Sequence, residues 1–207
     1  MSAPPARRLL WGLLAATLGI LVWSGIRPHD RITWALEVAP VVIGLLAVLA
    51  TYRRFPLTRL LYVLLFVHGV ILMVGGHYTY AQVPIGFWLQ ELLDLARNNY
   101  DRLGHVAQGF VPAILAREIL IRCSPVKAGR WLLLYVTSIC LAFSAFYEMI
   151  EWWVALISGE EAVAFLATQG DPWDTHWDMF LALCGALAAL WLLGTPHDRA
   201  LEDEGYV

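Results

Sequence analysis

Six apolar stretches, separated by short polar segments, account for most of this 207-residue chain. They cover residues 9–26, 34–51, 60–76, 101–121, 131–157 and 171–194. Because a helix of about 20 apolar residues spans the hydrocarbon core of a bilayer, the pattern predicts an all-α polytopic membrane bundle of about six transmembrane helices. We expect a single integral membrane domain over residues 1–207. Its last residues, 195–207, are predicted to form a short, charged and solvated cytoplasmic tail.

The segment between the third and fourth stretches, residues 77–99, mixes polar and apolar positions. Gln90, Glu91, Asp94 and Arg97 recur at helical spacing against Trp88 and several leucines. A pattern of this kind is typical of an amphipathic helix lying in the membrane interface. We therefore expect a short interfacial helix here that covers one end of the bundle.

Composition excludes a soluble globular protein. The chain is 59% hydrophobic and 15% charged, with a mean hydropathy of +0.63, as expected where the outer surface must also tolerate apolar surroundings. No basic patch for nucleic acid occurs, so the expected partners are membrane lipids, small solutes or other membrane proteins. The three cysteines form no CxxC pair and are interpreted as small packing residues.

Basic residues are sorted by side when the loops are counted alternately. Ten fall on one side, namely Arg7, Arg8, Arg53, Arg54, Arg59, Arg117, Arg122, Lys127, Arg130 and Arg199. Four fall on the other side, namely Arg27, Arg31, Arg97 and Arg102. By the positive-inside rule both termini are predicted to be cytoplasmic. Most of the acidic residues and histidines then gather at the exterior face.

Three polar patterns occur near that face, and the first begins the fourth stretch. Asp101, His105 and Gln108 share one helical face by i, i+4 and i+3 spacing. A carboxylate and an imidazole could converge there on one ligand, with Arg102 and His77 contacting an anionic headgroup. The alternative is that Asp101 caps the helix and His105 is hydrogen-bonded inside the bundle.

The second pattern is YEMIEWW in the fifth stretch, in which Glu148 and Glu151 share a face about 4.5 Å apart along the axis. Glu148 lies about 13 Å from the predicted end of its helix. A carboxylate at such depth is unfavourable unless it is protonated, paired or bound to a metal. Glu148 is therefore the strongest single candidate for a functional residue.

The third pattern is GDPWDTHWD, which opens the sixth stretch. Asp171 followed by Pro172 predicts an N-cap and first helical residue, and Asp174 then falls in the first turn, where an acid complements the helix dipole. Asp178 lies one turn deeper on the face of Asp174. Capping does not account for it.

Together these residues suggest an oxygen-rich site built from three helices. Carboxylate with imidazole suits a divalent cation, whose ligands would be drawn from Asp101, His105, Glu148, Asp174 and Asp178. In such a site Glu148 and Asp178 would act as base or cation ligands and His105 as acid or ligand. Glu151 and Gln108 would contact the substrate. A metal-free network that includes Arg102, or a set of unconnected groups, are the alternatives.

Three functions remain open at this point. The first is an enzyme or binding protein that handles an envelope lipid or small solute at the exterior face. The second is a structural or accessory protein whose buried polar groups only pack helices. The third is a small transporter, although no internal repeat or broken helix pair supports it.

The runs YDRLGHVAQGFVP, YEMIEWW and FLATQGDPWDTHWDM, with GGHYTYAQVPIG upstream, resemble the YjdF-type family of bacterial inner membrane proteins. The resemblance covers almost the whole chain. It implies a multi-pass protein of the bacterial inner membrane, and implies location and topology more than a reaction.

A more distant resemblance is to VanZ-like membrane proteins, in which an Asp-Lys-x-x-His helix precedes a helix with a central Glu and an Asp-containing helix. The matching positions are Asp101, Arg102 and His105, then Glu148, then Asp178 and Gly185. Two positions depart from that pattern: Glu151 stands where the group commonly has Gln, and Ala182 where it commonly has Asn. By analogy alone, this resemblance implies a role in the cell envelope.

Overall fold

The computed structural model describes residues 7–158 and 163–207, and the regular structure in these ranges is helical. A 3-10 turn, Tyr80–Gln82, precedes the fourth helix. The helices are α1 (Arg7–Ser24), α2 (Arg31–Thr51), α3 (Arg59–Tyr78), α4 (Pro84–Leu92), α5 (Tyr100–Cys123), α6 (Arg130–Ser158), α7 (Val163–Leu166) and α8 (Asp174–Asp203).

Within the described ranges, five helices are long and apolar enough to cross a membrane, namely α1, α2, α3, α6 and α8. Large apolar side chains such as Ile43, Phe143 and Trp191 are exposed on their surfaces, as expected of helices that face lipid. The prediction of a helical membrane bundle is confirmed.

The helix α5 is 24 residues long but is not among these five. It packs against α3, α6 and α8, and Asp101, His105, Arg117 and Glu118 are buried. Polar side chains of a membrane bundle face its interior in this way. The prediction that α5 is a sixth transmembrane helix remains a prediction.

Side-chain caps fix the starts of two helices. The carboxylate of Asp30 accepts a hydrogen bond from the Thr33 N–H at 2.7 Å at the start of α2, and the Thr58 hydroxyl accepts one from the Leu61 N–H at 3.3 Å at the start of α3. Each cap pairs a backbone donor that has no partner within its helix. The polar turns between apolar stretches therefore set where these helices begin.

The closest helix pair is α5 and α8, and two glycines allow their approach. A Cβ atom on Gly109 would overlap the carbonyl oxygen of Ala182, and a Cβ on Gly185 would overlap that of Val106. Small residues permit such backbone contact between membrane helices. As a result, polar side chains on α5 and α8 lie within reach of one another at both ends of the bundle.

The predicted solvated tail at residues 195–207 is wrong, because α8 continues to Asp203. His197 and Leu201 are fully buried, and Glu204 is also buried. The guanidinium of Arg117 donates a hydrogen bond to His197 Nδ1 at 2.8 Å, so polar partners on α5 hold this end of α8 in the bundle. The charged residues of this segment predicted contact with water, because their partners on α5 are distant in sequence.

A short helix is present in the segment predicted to be interfacial, but it lies earlier in the chain than expected. It occupies Pro84–Leu92, with Pro84 in its first turn, a position that proline favours. Asp94 has a φ of +50°, which is incompatible with a continuing right-handed helix. Asp94 and Arg97 therefore lie beyond the helix.

Candidate functional site

His105 lies at the centre of a buried polar group at the end of the bundle where α5 and α8 begin, which we call the acidic end. Its Nδ1 atom lies 2.9 Å from Gln108 Oε1. Its Nε2 atom lies 3.6 Å from Asp101 Oδ1 and 3.8 Å from Asp178 Oδ1. Each of the three ionisable side chains is at most 10% exposed. The structure thus brings together the predicted residues of α5 and α8.

The contact with Gln108 determines which ring nitrogen of His105 is free. Because an amide oxygen only accepts hydrogen bonds, this contact is a hydrogen bond when Nδ1 carries the proton, and in that neutral tautomer Nε2 presents a lone pair to Asp101 and Asp178. The separations of 3.6 and 3.8 Å exceed hydrogen-bond length. They leave room for an atom that all three groups contact.

Three carboxylate oxygens around the ring are buried and have no hydrogen-bond partner among the residues that the structure describes: Asp101 Oδ2, Asp178 Oδ1 and Glu148 Oε1. Buried polar atoms in folded proteins are nearly always paired. One ligand atom each from Asp101, His105 and Asp178 lie within 4.8 Å of one another, and His105, Glu148 and Glu151 form a second such group. The cluster therefore has unused capacity to coordinate a cation.

Arg97 supplies positive charge beside this cluster, a position that no local sequence pattern predicts. Its Nη1 donates to Asp174 Oδ1 at 2.6 Å and to the Thr168 carbonyl at 2.9 Å. Its Nη2 lies 3.7 Å from Asp101 Oδ2. Asp174, predicted as a cation ligand, thus faces a guanidinium, and it belongs to neither of the two ligand groups described above.

Asp171 does not cap the last helix as predicted. Its Oδ1 accepts a hydrogen bond from the Trp173 N–H at 2.9 Å, and α8 begins at Asp174. Aspartate side chains commonly accept a hydrogen bond from the backbone N–H two residues further along the chain. In Asp171 this local bond takes the place of the predicted cap. The other oxygen of Asp171 accepts a hydrogen bond from Arg102 at 3.0 Å.

The loop before α8 is held in an unfavourable backbone conformation. Ala167 and Gln169 have φ values of +50° and +49°, which cost free energy in residues other than glycine. The Ala167 and Thr168 carbonyls accept hydrogen bonds from Arg97, and the Gln169 amide donates to the Asn98 carbonyl at 2.8 Å. These contacts fix the loop over the acidic end.

Glu37 of α2 is a further buried carboxylate that sequence reasoning missed. It accepts a hydrogen bond from the Tyr147 hydroxyl at 3.2 Å, and its side chain is buried. An acidic residue within an apolar span is itself a signal of function. That signal was available in the sequence, since Glu37 is the single charged residue between Arg31 and Arg53.

Two predicted headgroup contacts have different surroundings. Arg102 is part of the acidic end, where its guanidinium lies 5.4 Å from the centre of the Trp177 ring and its side chain is 28% exposed. His77 instead packs on α1, with Nδ1 3.0 Å from the Ser24 carbonyl and its ring against Trp23. His77 is thus engaged by α1 and contributes to neither ligand group.

Comparison with known proteins gives the family. Residues 9–199 match DUF2238, described as a predicted membrane protein. The chain is 54% identical over 188 residues to "Inner membrane protein YjdF" of Escherichia coli (strain K12), covering 91% of this chain and 90% of that relative. No solved structure matches, and neither finding supports the resemblance to VanZ-like proteins. The chain is an integral protein of the bacterial inner membrane and belongs to the DUF2238 family.

Proposed function

We propose that this protein binds a divalent cation at the acidic end and uses it to handle an anionic lipid headgroup or small solute of the cell envelope. The observation that carries the proposal is the position of His105 Nε2, which lies 3.6 Å from a carboxylate oxygen of Asp101 and 3.8 Å from one of Asp178. Ligand atoms held about 2.1 Å from a tetrahedral ion are about 3.4 Å apart. A small contraction of the cluster would therefore complete such a site.

Gln108 supports the same proposal from behind the ring. Metal-binding histidines usually donate their other N–H to a fixed acceptor, which sets the tautomer, and Gln108 Oε1 is in that position. One imidazole with carboxylates suits Zn²⁺, Mn²⁺ or Fe²⁺, whereas Ca²⁺ prefers oxygen ligands alone. We expect the site to select the former group.

The surrounding residues would then have distinct tasks. A bound cation supplies positive charge to an anionic substrate and acidifies bound water. Glu148 would accept a proton, with Glu151 beside it: its Oε1 lies 3.9 Å from His105 Nδ1 and has no hydrogen-bond partner within the described residues. Arg102, partly exposed, would contact the anionic group of the substrate.

Metal analysis of the purified protein tests the cation. We expect about one Zn²⁺ or Mn²⁺ per chain, retained in Asp94→Asn, whose carboxylate is exposed, and lost in Asp178→Asn and His105→Gln. Thermal unfolding with and without added metal should show stabilisation of the wild type that both site variants lack. Equal metal content in all four proteins would exclude the site.

A complementation assay in a strain that lacks the protein tests the function separately. Glu148→Gln should remain in the membrane at wild-type levels, keep its metal and fail to complement. If Glu148→Gln, Asp178→Asn and His105→Ala all complement fully, the proposal of a functional site is wrong.

A structural role for the polar groups is the second candidate, and the pairing of Arg97 favours it. This guanidinium joins the α7–α8 loop to α5 through Asp174, Thr168 and Asp101. If packing were the sole role, the site variants would lose membrane abundance and thermal stability together with complementation. A loss of complementation at unchanged stability would exclude this candidate.

A further inference from the structure

A cavity lies far from the acidic end, between α1 and α2. Both helices pack on α3, and they are joined near the acidic end, where the Trp34 indole N–H donates to the Ser24 hydroxyl at 3.1 Å. Beyond that contact they enclose a cavity of about 640 Å³, which we call the α1–α2 cleft. Its apolar lining includes Leu10, Leu14, Leu45, Val48, Phe66 and Leu72.

The cleft has cationic groups at its other end. Arg7, the first residue of α1, and Arg53, just beyond α2, both line it and are exposed. Among the residues that the structure describes, neither guanidinium has a carboxylate within 4 Å. The basic residues of this end predict that it faces the cytoplasm. The cleft thus combines an apolar interior with unneutralised positive charge at the level of one leaflet's headgroups.

We propose that the α1–α2 cleft is a binding site for one anionic phospholipid of the cytoplasmic leaflet. Its acyl chain would occupy the space between α1 and α2 above α3, and its phosphate would pair with Arg7 and Arg53. Basic pockets between transmembrane helices on the cytoplasmic side bind anionic headgroups in this way. The proposal is independent of the cation site, because no residue of the acidic end lines the cleft.

Native mass spectrometry of the detergent-purified protein tests headgroup selection. The protein is titrated with phosphatidylglycerol and with phosphatidylcholine of the same acyl chains. We expect wild type to bind phosphatidylglycerol at least tenfold more tightly than phosphatidylcholine, because each arginine near the headgroup raises the affinity for an anionic lipid about fivefold. The pair Arg7→Gln with Arg53→Gln should abolish this preference. Arg8 and Arg54 do not line the cleft, so the matched double variant Arg8→Gln with Arg54→Gln should keep the preference for phosphatidylglycerol.

A second pair of variants tests whether the acyl chain enters the cleft. Gly44 lines the cleft and has no atom within 4 Å of a built Cβ, so Gly44→Leu fills the space without displacing protein. It should lose bound lipid at unchanged thermal stability. Gly12 on α1 is equally uncrowded but does not line the cleft, so Gly12→Leu should retain the bound lipid. Retention of phosphatidylglycerol by Gly44→Leu would overturn the proposal, as would equal affinity of wild type for the two lipids.

His68 distinguishes a phospholipid from a polar small molecule. It lines the cleft, and its Nε2 is buried with no hydrogen-bond partner in the described part of the chain. It lies about 13 Å along α3 from Arg59. A phospholipid places hydrocarbon at that depth, so His68→Leu should bind phosphatidylglycerol as wild type does. Loss of binding in His68→Leu would show that the occupant carries a polar group there, which would overturn the assignment to a phospholipid.

Discussion

Glu118 of α5 and His197 of α8 are joined at 3.0 Å in the interior of the bundle, at the end opposite the acidic end, and neither side chain has exposed surface. His197 accepts from Arg117 at Nδ1 and therefore donates to Glu118 from Nε2. Glu118 also accepts from the Thr58 backbone N–H and hydroxyl and from Arg122. One carboxylate thus connects the start of α3 to α5 and α8.

Substitution of Glu118 should destabilise the protein strongly. In Glu118→Leu the donors of Thr58, Arg122 and His197 lose their shared acceptor, and removing one partner of a buried charged pair costs about 3–5 kcal/mol. Thermal unfolding in detergent should show a much lower midpoint. Glu202→Leu, exposed on α8, is the control and should unfold near the wild-type temperature. Equal midpoints for the two variants would contradict this assignment.

Gln108 should affect metal affinity without binding the metal. Gln108→Leu removes the acceptor for His105 Nδ1, and loss of such a supporting contact typically weakens metal binding 10–100-fold. Titration of the metal-free protein with Zn²⁺ or Mn²⁺ measures the change. Gln108→Glu, which keeps an acceptor, should retain most of the affinity. An unchanged dissociation constant in Gln108→Leu would remove the support that Gln108 gives to the cation site.

Helical spacing was sufficient to predict part of the acidic end. Asp101, His105 and Gln108 follow one another on a single helix, so their common face depends on local geometry alone. The approach of Asp178 depends instead on backbone contact between α5 and α8 at Gly109 and Gly185. A glycine in an apolar helix is compatible with many packing arrangements. The role of these two is therefore evident only in the packed helices α5 and α8.

Other features depended on contacts distant in sequence. Arg97 reaches Asp174, 77 residues away, across a loop with positive φ values, and no local pattern predicts that crossing. The buried end of α8 was predicted to be solvated because its residues are charged, but Arg117 and Glu118 supply partners there. Both cases show that burial of a charged residue is set by its partners and not by its own polarity.

The contact between α5 and α8 is expected to tolerate no added volume. Gly109→Ala would place a methyl group on the Ala182 carbonyl oxygen, so the helices must separate, and overpacking of this kind typically costs 1–3 kcal/mol or more. We expect a lower unfolding temperature together with weaker metal binding, since Asp178 would move from His105. Gly194→Ala on α8, where nothing lies within 4 Å, should unfold at or above the wild-type temperature. If Gly109→Ala is equally stable, the packing described for this pair is wrong.

Asp30 provides a pH-dependent contribution at the start of α2, outside the membrane-spanning segments. The hydrogen bond from the Thr33 backbone N–H lowers the pKa of its carboxyl below the ordinary 3.8. Because the folded pKa is the lower one, the ionised cap stabilises the protein above pH 3.8, and this stabilisation is lost as the pH falls through the folded pKa. Asp30→Ala should cost about 1 kcal/mol at pH 7. The free energies of unfolding of wild type and Asp30→Ala, measured from pH 7 to pH 3, should become more alike as the pH falls. Asp30→Asn keeps a neutral cap, so its free energy of unfolding should differ from that of Asp30→Ala by a constant amount. A gap between wild type and Asp30→Ala that is independent of pH would exclude the ionised cap.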